Sequence, residues 1–388
     1  MTHRPREFLA FCVRSANDGL LSLHGYCSGV TRVSRMKKGA AYTGRLPNGC
    51  VLCEKGAKLV LFVTGKCARR CVYCPISHQK KGKDVFFANE MRIERASQAV
   101  KEAKLMDALG TGITGGDPLI SLDRTVNAIR TLRKAFGDDH HIHLYTSVAD
   151  PRSIRRVARA GLDEIRFHPP TGMWKRLPRS GFSGAVGVAR KHGMSVGLEV
   201  PAVPGHEDGL RAVIAFADEE GLDFVNLNEL EFSETNWRAL TRLGMGTRGD
   251  ISSGVAGSEE LAMGFLREEH PTPLHYCSSA FKDGVQLRRR ITRRGRNVRR
   301  PHEILTEDGT LLKGVVETDR PVQVMRMLIR DYEVPPELLW RDTEKSRLEV
   351  APWVLEEIAS ELELETFLVE EYPTADRLEV ERMPLRRR

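Results

Sequence analysis

The chain has 388 residues, 41% of them hydrophobic, with a formal net charge of +8 and a pI near 9.1. That length suits one large α/β domain with smaller additions. No apolar run approaches the ~20 residues of a membrane span, and the opening MTHRPREFLAFCVRS lacks a secretory signal's apolar stretch and cleavage site, so the expected location is cytoplasmic with no membrane partner.

In chain order, residues 1–57 are rich in glycine and basic residues, contain Cys27, Cys50 and Cys53, and show no long periodic element. They read as a lid or cluster-bearing extension, with Cys12 in the apolar run FLAFC expected in the core. From residue 58 to about 270, β-branched runs alternate with helical patterns, the mark of a parallel sheet with crossover helices. The candidate strands are KLVLFVT, TGITGGD, HIHLYTS, DEIRFHP, SVGLEVPA and DFVNLNELEF, and amphipathic stretches such as LDRTVNAIRTLRKAF lie between them. Six such units fall short of the eight that close a full barrel. The expectation is an α/β fold built as an open, partial (βα)6 TIM-like barrel, although the alternation equally allows a flavodoxin-like sheet. Either places chemistry at the strands' C-terminal ends. Residues 271–301 read as a basic linker with eight arginines in the thirteen residues from Arg288 to Arg300. Residues 302–388 read as a small α+β domain, opened by the Asp308-Gly309 hairpin signal.

Eight cysteines are too few for a disulfide scaffold, and in a reducing compartment clustered cysteines are more often metal ligands. Directly after the first strand, TGKCARRCVYCPIS sets Cys67, Cys71 and Cys74 in a C-x3-C-x2-C run. Three thiolates can hold three corners of a four-iron cluster, leaving one iron open to a ligand. On its own the run could also be half of a zinc site. At the end of the second strand stands GGDP, Gly115 to Pro118, which in isolation is simply a turn. Both motifs on consecutive strand ends are far more specific than either alone.

The cysteine spacing, Tyr73 before the third cysteine and the GGDP turn together resemble the radical S-adenosylmethionine (SAM) superfamily. Within it, the layout resembles a largely archaeal group related to pyruvate formate-lyase activating enzymes. The resemblance implies that Cys67, Cys71 and Cys74 bind a [4Fe-4S] cluster whose open iron is chelated by the SAM amino and carboxylate groups. One electron from a ferredoxin- or flavodoxin-like donor would then release a 5′-deoxyadenosyl radical that abstracts a substrate hydrogen. It also implies that Gly115, Gly116, Asp117 and Pro118 bind the methionine amino end and that Tyr73 packs near the adenine. Thr146, Ser147, Arg166, His168 and Glu199, at later strand ends, are the remaining cofactor candidates. Arg166 suits a carboxylate, and Asn228 and Glu229 are substrate candidates. The family's usual residue at the Asp117 position is Glu, which puts direct contact from this shorter side chain in doubt. The substrate is left open between a protein glycine, an RNA base and a small metabolite.

Cys50, Cys53, His275 and Cys277 remain as a candidate second metal site for zinc or another iron-sulfur cluster, with Cys27 a competing ligand. The arginine run could neutralise RNA phosphates or be a solvated linker. A rival reading of the whole chain is a non-catalytic, zinc-stabilised nucleic-acid-binding protein, which leaves GGDP and the polar strand ends without a purpose.

Overall fold

The computed structural model describes residues 32–385. Two short strands, β1 (Val33–Arg35) and β2 (Ala41–Thr43), precede helix α1 (Asn48–Glu54) and strand β3 (Lys58–Phe62). A long loop leads to β4 (Phe87–Ala88) and β5 (Met91–Arg92). Then come α2 (Ala96–Leu105), β6 (Gly110–Thr114), α3 (Leu122–Phe136), β7 (His141–Thr146), α4 (Pro151–Arg159), β8 (Glu164–Phe167), α5 (Phe182–Lys191), β9 (Ser195–Ala202), α6 (Glu207–Glu220) and β10 (Phe224–Glu229). After α7 (Trp237–Arg242) and α8 (Ser258–Arg267), β11 (Leu274–Cys277) completes the sheet, whose order is β1-β2-β11-β10-β9-β8-β7-β6-β3-β4-β5.

All six expected strands are present, and consecutive ones pair in parallel. A seventh parallel strand, β11, extends the expected six by pairing with β10, and β2 covers its far edge antiparallel. The helices form because their apolar residues recur at three- and four-residue spacing: α3 buries Thr125, Val126, Ala128, Ile129 and Leu132 on one face. Caps set their ends. Asp150 accepts from the Arg152 and Ser153 amides ahead of Pro151, and Gly221 ends α6 in the left-handed region at φ 61°.

The barrel interior is polar. Lys58, His143, Arg166, Glu164, Asn226 and His275 are all buried there. Helix α1 covers its floor, the N-terminal ends of the strands. A Cβ on Gly49 would lie 2.6 Å from Arg166 Nη2 and 2.7 Å from His143 Nδ1, so only glycine lets this helix settle so deeply.

The arginine-rich stretch is a helix, contrary to the linker expected. After one-turn α9 (Ser279–Phe281) and a π-helical segment, Lys282–Leu287, comes α10 (Arg288–Val298). Its Arg290 pairs with Glu90 at 2.5 Å and its Arg294 with Glu102 at 2.8 Å, while Arg293 and Asn297 donate to the Met106 and Leu105 carbonyls that end α2. Those orphan carbonyls and the negative end of the α2 dipole are where cations bind best. Arg294 also reaches the Pro373 carbonyl, tying the barrel to the C-terminal sheet.

That sheet contains β12 (Ile304–Leu305), β13 (Leu311–Glu317), β14 (Leu339–Asp342), β15 (Arg347–Val350), β16 (Glu365–Glu371) and β17 (Glu379–Pro384), all paired antiparallel. Helices α11 (Pro321–Asp331) and α12 (Pro352–Ile358) accompany it. Asp308-Gly309 makes the β12–β13 turn, with Gly309 at φ 89°. In its interior Lys313 donates to Glu303 at 2.6 Å and Glu371 at 3.1 Å and lies near Glu349, a buried ionic network joined by Arg347. Cys12 and Cys27 lie outside the described residues.

Candidate functional site

The loop after β3 carries the three cysteines to the C-terminal mouth of the barrel. Its start is laced to the GGDP turn: the Gly116 amide donates to Thr64 O at 2.7 Å and the Asp117 amide to Lys66 O at 2.9 Å. Its end is held by the segment after β10, where Thr235 Oγ1 donates to Cys74 O at 3.0 Å and Asn236 Nδ2 to Tyr73 O at 3.1 Å. Gly115 and Gly116 are required by this lacing. A Cβ on Gly115 would lie 2.5 Å from Thr64 O, and one on Gly116 would lie 2.6 Å from Gly65 O and press on Lys66 O.

Cys67 is exposed, Cys71 and Cys74 are half-buried, and all three are free thiols lining a cavity of about 590 Å³. Burial pushes the Cys67 and Cys71 thiols above their ordinary range, and the neighbouring cysteines add to the rise. Gathering them as thiolates therefore calls for a bound positive centre. The cavity wall continues through Tyr73, Gly115, Gly116, Thr146, Ser147 and His168, and its far side holds Glu199, Asn228 and Glu229.

A family model, the Radical SAM superfamily, matches residues 61–217, and a domain of unknown function (DUF8061) matches residues 309–385. A protein of Methanocaldococcus jannaschii, named provisionally as a glycyl-radical enzyme activating enzyme, is 37% identical over 361 residues, 88% of this chain and 93% of the relative. The chain belongs to the radical SAM superfamily. It is accordingly a radical SAM enzyme, which sets aside the non-catalytic reading. Among solved structures, Streptococcus suis SuiB bound to S-adenosylmethionine matches with a TM-score of 0.39 at 11% identity, over 57% of this chain and 50% of that chain. Methylornithine synthase matches with a TM-score of 0.38 at 12% identity, over 57% of this chain and 69% of its own. The match to SuiB thus spans about half of that protein's length.

Within this radical SAM barrel, three residues expected to touch the cofactor are committed elsewhere. Asp117 is buried and spends its carboxylate on the protein: Oδ1 accepts from Leu119 N and Thr146 Oγ1, and Oδ2 from Ser147 N and Oγ, at 2.8–3.0 Å. It braces the second strand end against the third. Pro118 is buried at the start of the short 3-10 turn that Asp117 caps. Arg166 is buried, is not among the residues that line the cavity, and pairs with Glu164 at 2.5 Å and Glu199 at 2.9 Å. Arg69, Arg70 and Lys81 are cations that do line the wall, and Arg69 donates to Ser147 O at 3.2 Å. The sequence reading missed Arg69, although its place inside the cysteine run was a signal that could have marked it. Tyr145 and Lys282 also line the cavity; strand alternation places Tyr145 beside His143, whereas nothing in the sequence marks Lys282.

Tyr73 and His168 form a pair, with Tyr73 Oη 3.1 Å from His168 Nε2. His168 Nδ1 lies 2.6 Å from the Glu199 carbonyl, which can only accept, so Nε2 is the acceptor and the phenol donates. Burial lowers the His168 pKa and raises that of Tyr73, keeping both neutral. Glu199 is the opposite case. Burial would raise its pKa, but Arg166 and the Asn228 and Asn226 amides hold it below the usual range, so it presents a carboxylate on the wall.

The candidate second metal ligands gather beneath the cavity, where His275 is within hydrogen-bonding reach of Cys50. Burial would raise the Cys50 thiol pKa, but Arg166 and His275 lower it to about 7, and amides lie among the four. Asn226 Nδ2 donates to Cys50 Sγ at 3.3 Å, Asn226 Oδ1 lies 3.0 Å from His275 Nδ1, and Gln286 bridges Cys53 at 3.0 Å and Cys277 at 3.6 Å. Tetrahedral zinc with ~2.3 Å bonds to sulfur sets its donors roughly 3.8 Å apart. Among the described residues, the group of three metal-ligating side chains within 4.8 Å of one another is His302, Glu303 and Glu349, and no three of Cys50, Cys53, His275 and Cys277 meet that spacing. Nor do Cys67, Cys71 and Cys74. At His302, Glu303 and Glu349 the Lys313 ammonium already supplies the positive charge. No helix among the described residues is long and apolar enough to cross a membrane.

Proposed function

We propose that Cys67, Cys71 and Cys74 hold a [4Fe-4S] cluster and that SAM lies across the adjoining cavity, with a glycine residue of a partner protein as substrate. The observation that carries the reading is the donor set: three free thiols on one cavity wall beside a backbone cradle that a Cβ would fill. When bound, the pair supplies a 5′-deoxyadenosyl radical that takes a substrate hydrogen, the electron coming from an external ferredoxin- or flavodoxin-like donor. The glycine substrate rests on the name of the M. jannaschii relative.

The chain's own residues then divide the work. The Gly115 and Gly116 carbonyls accept from the methionine ammonium, Arg69 faces its carboxylate, and Tyr73 with its partner His168 packs by the adenine. Thr146 and Ser147, fixed by Asp117, shape the wall near the ribose, and the Glu199 carboxylate accepts from its hydroxyls. Asn228 and Glu229 flank the substrate's approach. Asp117, Pro118 and Arg166 act one layer behind. A bound metal at Cys50, Cys53, His275 and Cys277 would have to displace the Asn226 and Gln286 amides, and the chemistry above does not need one.

The test is anaerobic purification and cluster reconstitution, iron, sulfide and zinc analysis, then SAM with dithionite and detection of 5′-deoxyadenosine. About four irons per chain with cofactor cleavage is expected. Cys71→Ala should abolish cleavage while the circular dichroism spectrum is retained. Cleavage retained in Cys71→Ala, or zinc bound in place of iron, would sink the assignment.

A further inference from the structure

The arginine helix has two faces. Arg290 and Arg294, four residues apart, are consumed by Glu90 and Glu102. Arg288, Arg289, Arg293 and Arg296 look the other way, toward Lys37 and Lys38 between β1 and β2 and Lys55 at the end of α1. These seven cations line a cleft of about 480 Å³.

Most of their charge is not cancelled within the protein. Arg288, Arg289 and Arg293 donate to the carbonyls of Glu307, Glu54, Met106 and Asp107, which satisfies N–H groups and leaves the charge in place. The carboxylates within reach are Asp308, 3.5 Å from Arg288, and Glu54, 3.6 Å from Arg289. Among the described residues, the side chains of Lys37, Lys38, Lys55 and Arg296 have no acidic or hydrogen-bonding partner. Seven like charges around one cleft raise a positive potential that an anion of several charges sitting among them would relieve.

We propose that this cleft binds consecutive phosphate groups, whether of a free oligophosphate or of a single nucleic-acid strand. Guanidinium forks and lysine ammonium groups both suit phosphate oxygens. No aromatic side chain lines the cleft, so there is no stacking platform, and recognition is of the backbone charge rather than of bases. The cleft shares a wall with the radical cavity: within Lys282–Leu287, Gly284 and Val285 line the cleft, while Lys282 lines the cavity and pairs with Glu231 at 3.1 Å. A phosphate-bearing ligand is therefore held one short segment away from the radical chemistry.

The test needs no turnover and so stands or falls apart from the proposed chemistry. Reconstituted full-length protein is titrated with a fluorescein-labelled twelve-nucleotide single-stranded RNA by anisotropy and with inorganic tripolyphosphate by calorimetry. The triple variant Lys38→Gln, Lys55→Gln, Arg296→Gln should bind at least one of the two roughly tenfold more weakly or worse. For RNA, log K should fall with log salt with a slope of about −2 to −3 for three or four phosphates, and the triple variant should lose about 2 of it. A control, Lys101→Gln, Arg155→Gln, Lys191→Gln, removes the same charge from exposed positions on the outer helices and should stay within about twofold. Loss of both ligands marks a nucleic-acid strand as the source, and loss of tripolyphosphate alone marks a small oligophosphate. Binding of neither ligand, or equal losses in the two triple variants, would overturn the proposal.

Discussion

Gly116→Ala is a sharp test of the site geometry, because its effect can be worked from the backbone. Gly116 is outside the left-handed region, so alanine carries no conformational penalty there and the perturbation is purely steric. The new Cβ would lie 2.6 Å from Gly65 O and 2.7 Å from Lys66 C, and would press on Lys66 O as well. Carbon-to-oxygen contacts settle near ~3.3 Å, so the strand-end backbone must move by roughly 0.7 Å. Lys66 precedes Cys67, and the displacement passes straight into the cysteine loop. Overpacking of this kind costs about 1–3 kcal/mol of stability, and a misplacement approaching 1 Å in a catalytic array can cost ~100-fold in rate. The assay is 5′-deoxyadenosine formation per cluster, with iron measured on the same sample. Gly184→Ala, which adds a Cβ with nothing within 4 Å, is the control and should leave the rate unchanged. A parental rate per cluster in Gly116→Ala would refute the argument that this turn sets the position of the loop.

Two further outcomes concern the scaffold. Glu102→Ala leaves the Arg294 guanidinium buried without its carboxylate, and should lower urea-unfolding stability by about 3–5 kcal/mol; a loss below ~1 kcal/mol would mean the pair is not holding α10 to α2. Burial would raise the Glu371 pKa, but Lys313, Lys345 and Arg347 outweigh it and hold it at about 2. The folded-state value lies below the unfolded one, so Glu371 contributes stability above about pH 4.5 that is lost as pH falls toward 2. Urea melts from pH 6 to pH 3 should show this decline, and Glu371→Gln should flatten part of it while lowering stability at pH 7. Stability that holds level or rises across that range in the parent protein would contradict the charge balance.

The six central strands were legible because each is an apolar run bounded by turn residues. Strand β11 was not: it has four residues, and its polar positions, His275 and Cys277, drew attention as candidate metal ligands rather than as members of a strand. The arginine helix was hidden for a related reason. Ile291 and Val298 are its only large apolar residues, and Arg294 is buried through Glu102, 192 positions earlier in the chain. The cysteine run and the GGDP turn were visible as local patterns, and the structure does bring them together at one mouth. Of the polar strand residues singled out in the sequence, Thr146, Ser147, His168, Glu199, Asn228 and Glu229 do line that mouth, and Arg166 does not. Arg166 pairs instead with Glu164 and Glu199, a fact of strand register that no local window carries.

The floor and the seam of the barrel are made from distant parts of the chain. Leu274 N bonds Thr43 Oγ1 across 231 positions, Gln286 meets Cys53 across 233, and Arg289 reaches Glu54 across 235. During synthesis the seam that joins β2 and α1 to β11 and the arginine helix can therefore close only after the ribosome has passed that helix. Loop-closure entropy is met before these contacts reward it, which makes the last step slow. The polar lumen suits that delay: a half-built barrel lined with charge exposes little on that side for other nascent chains to adhere to.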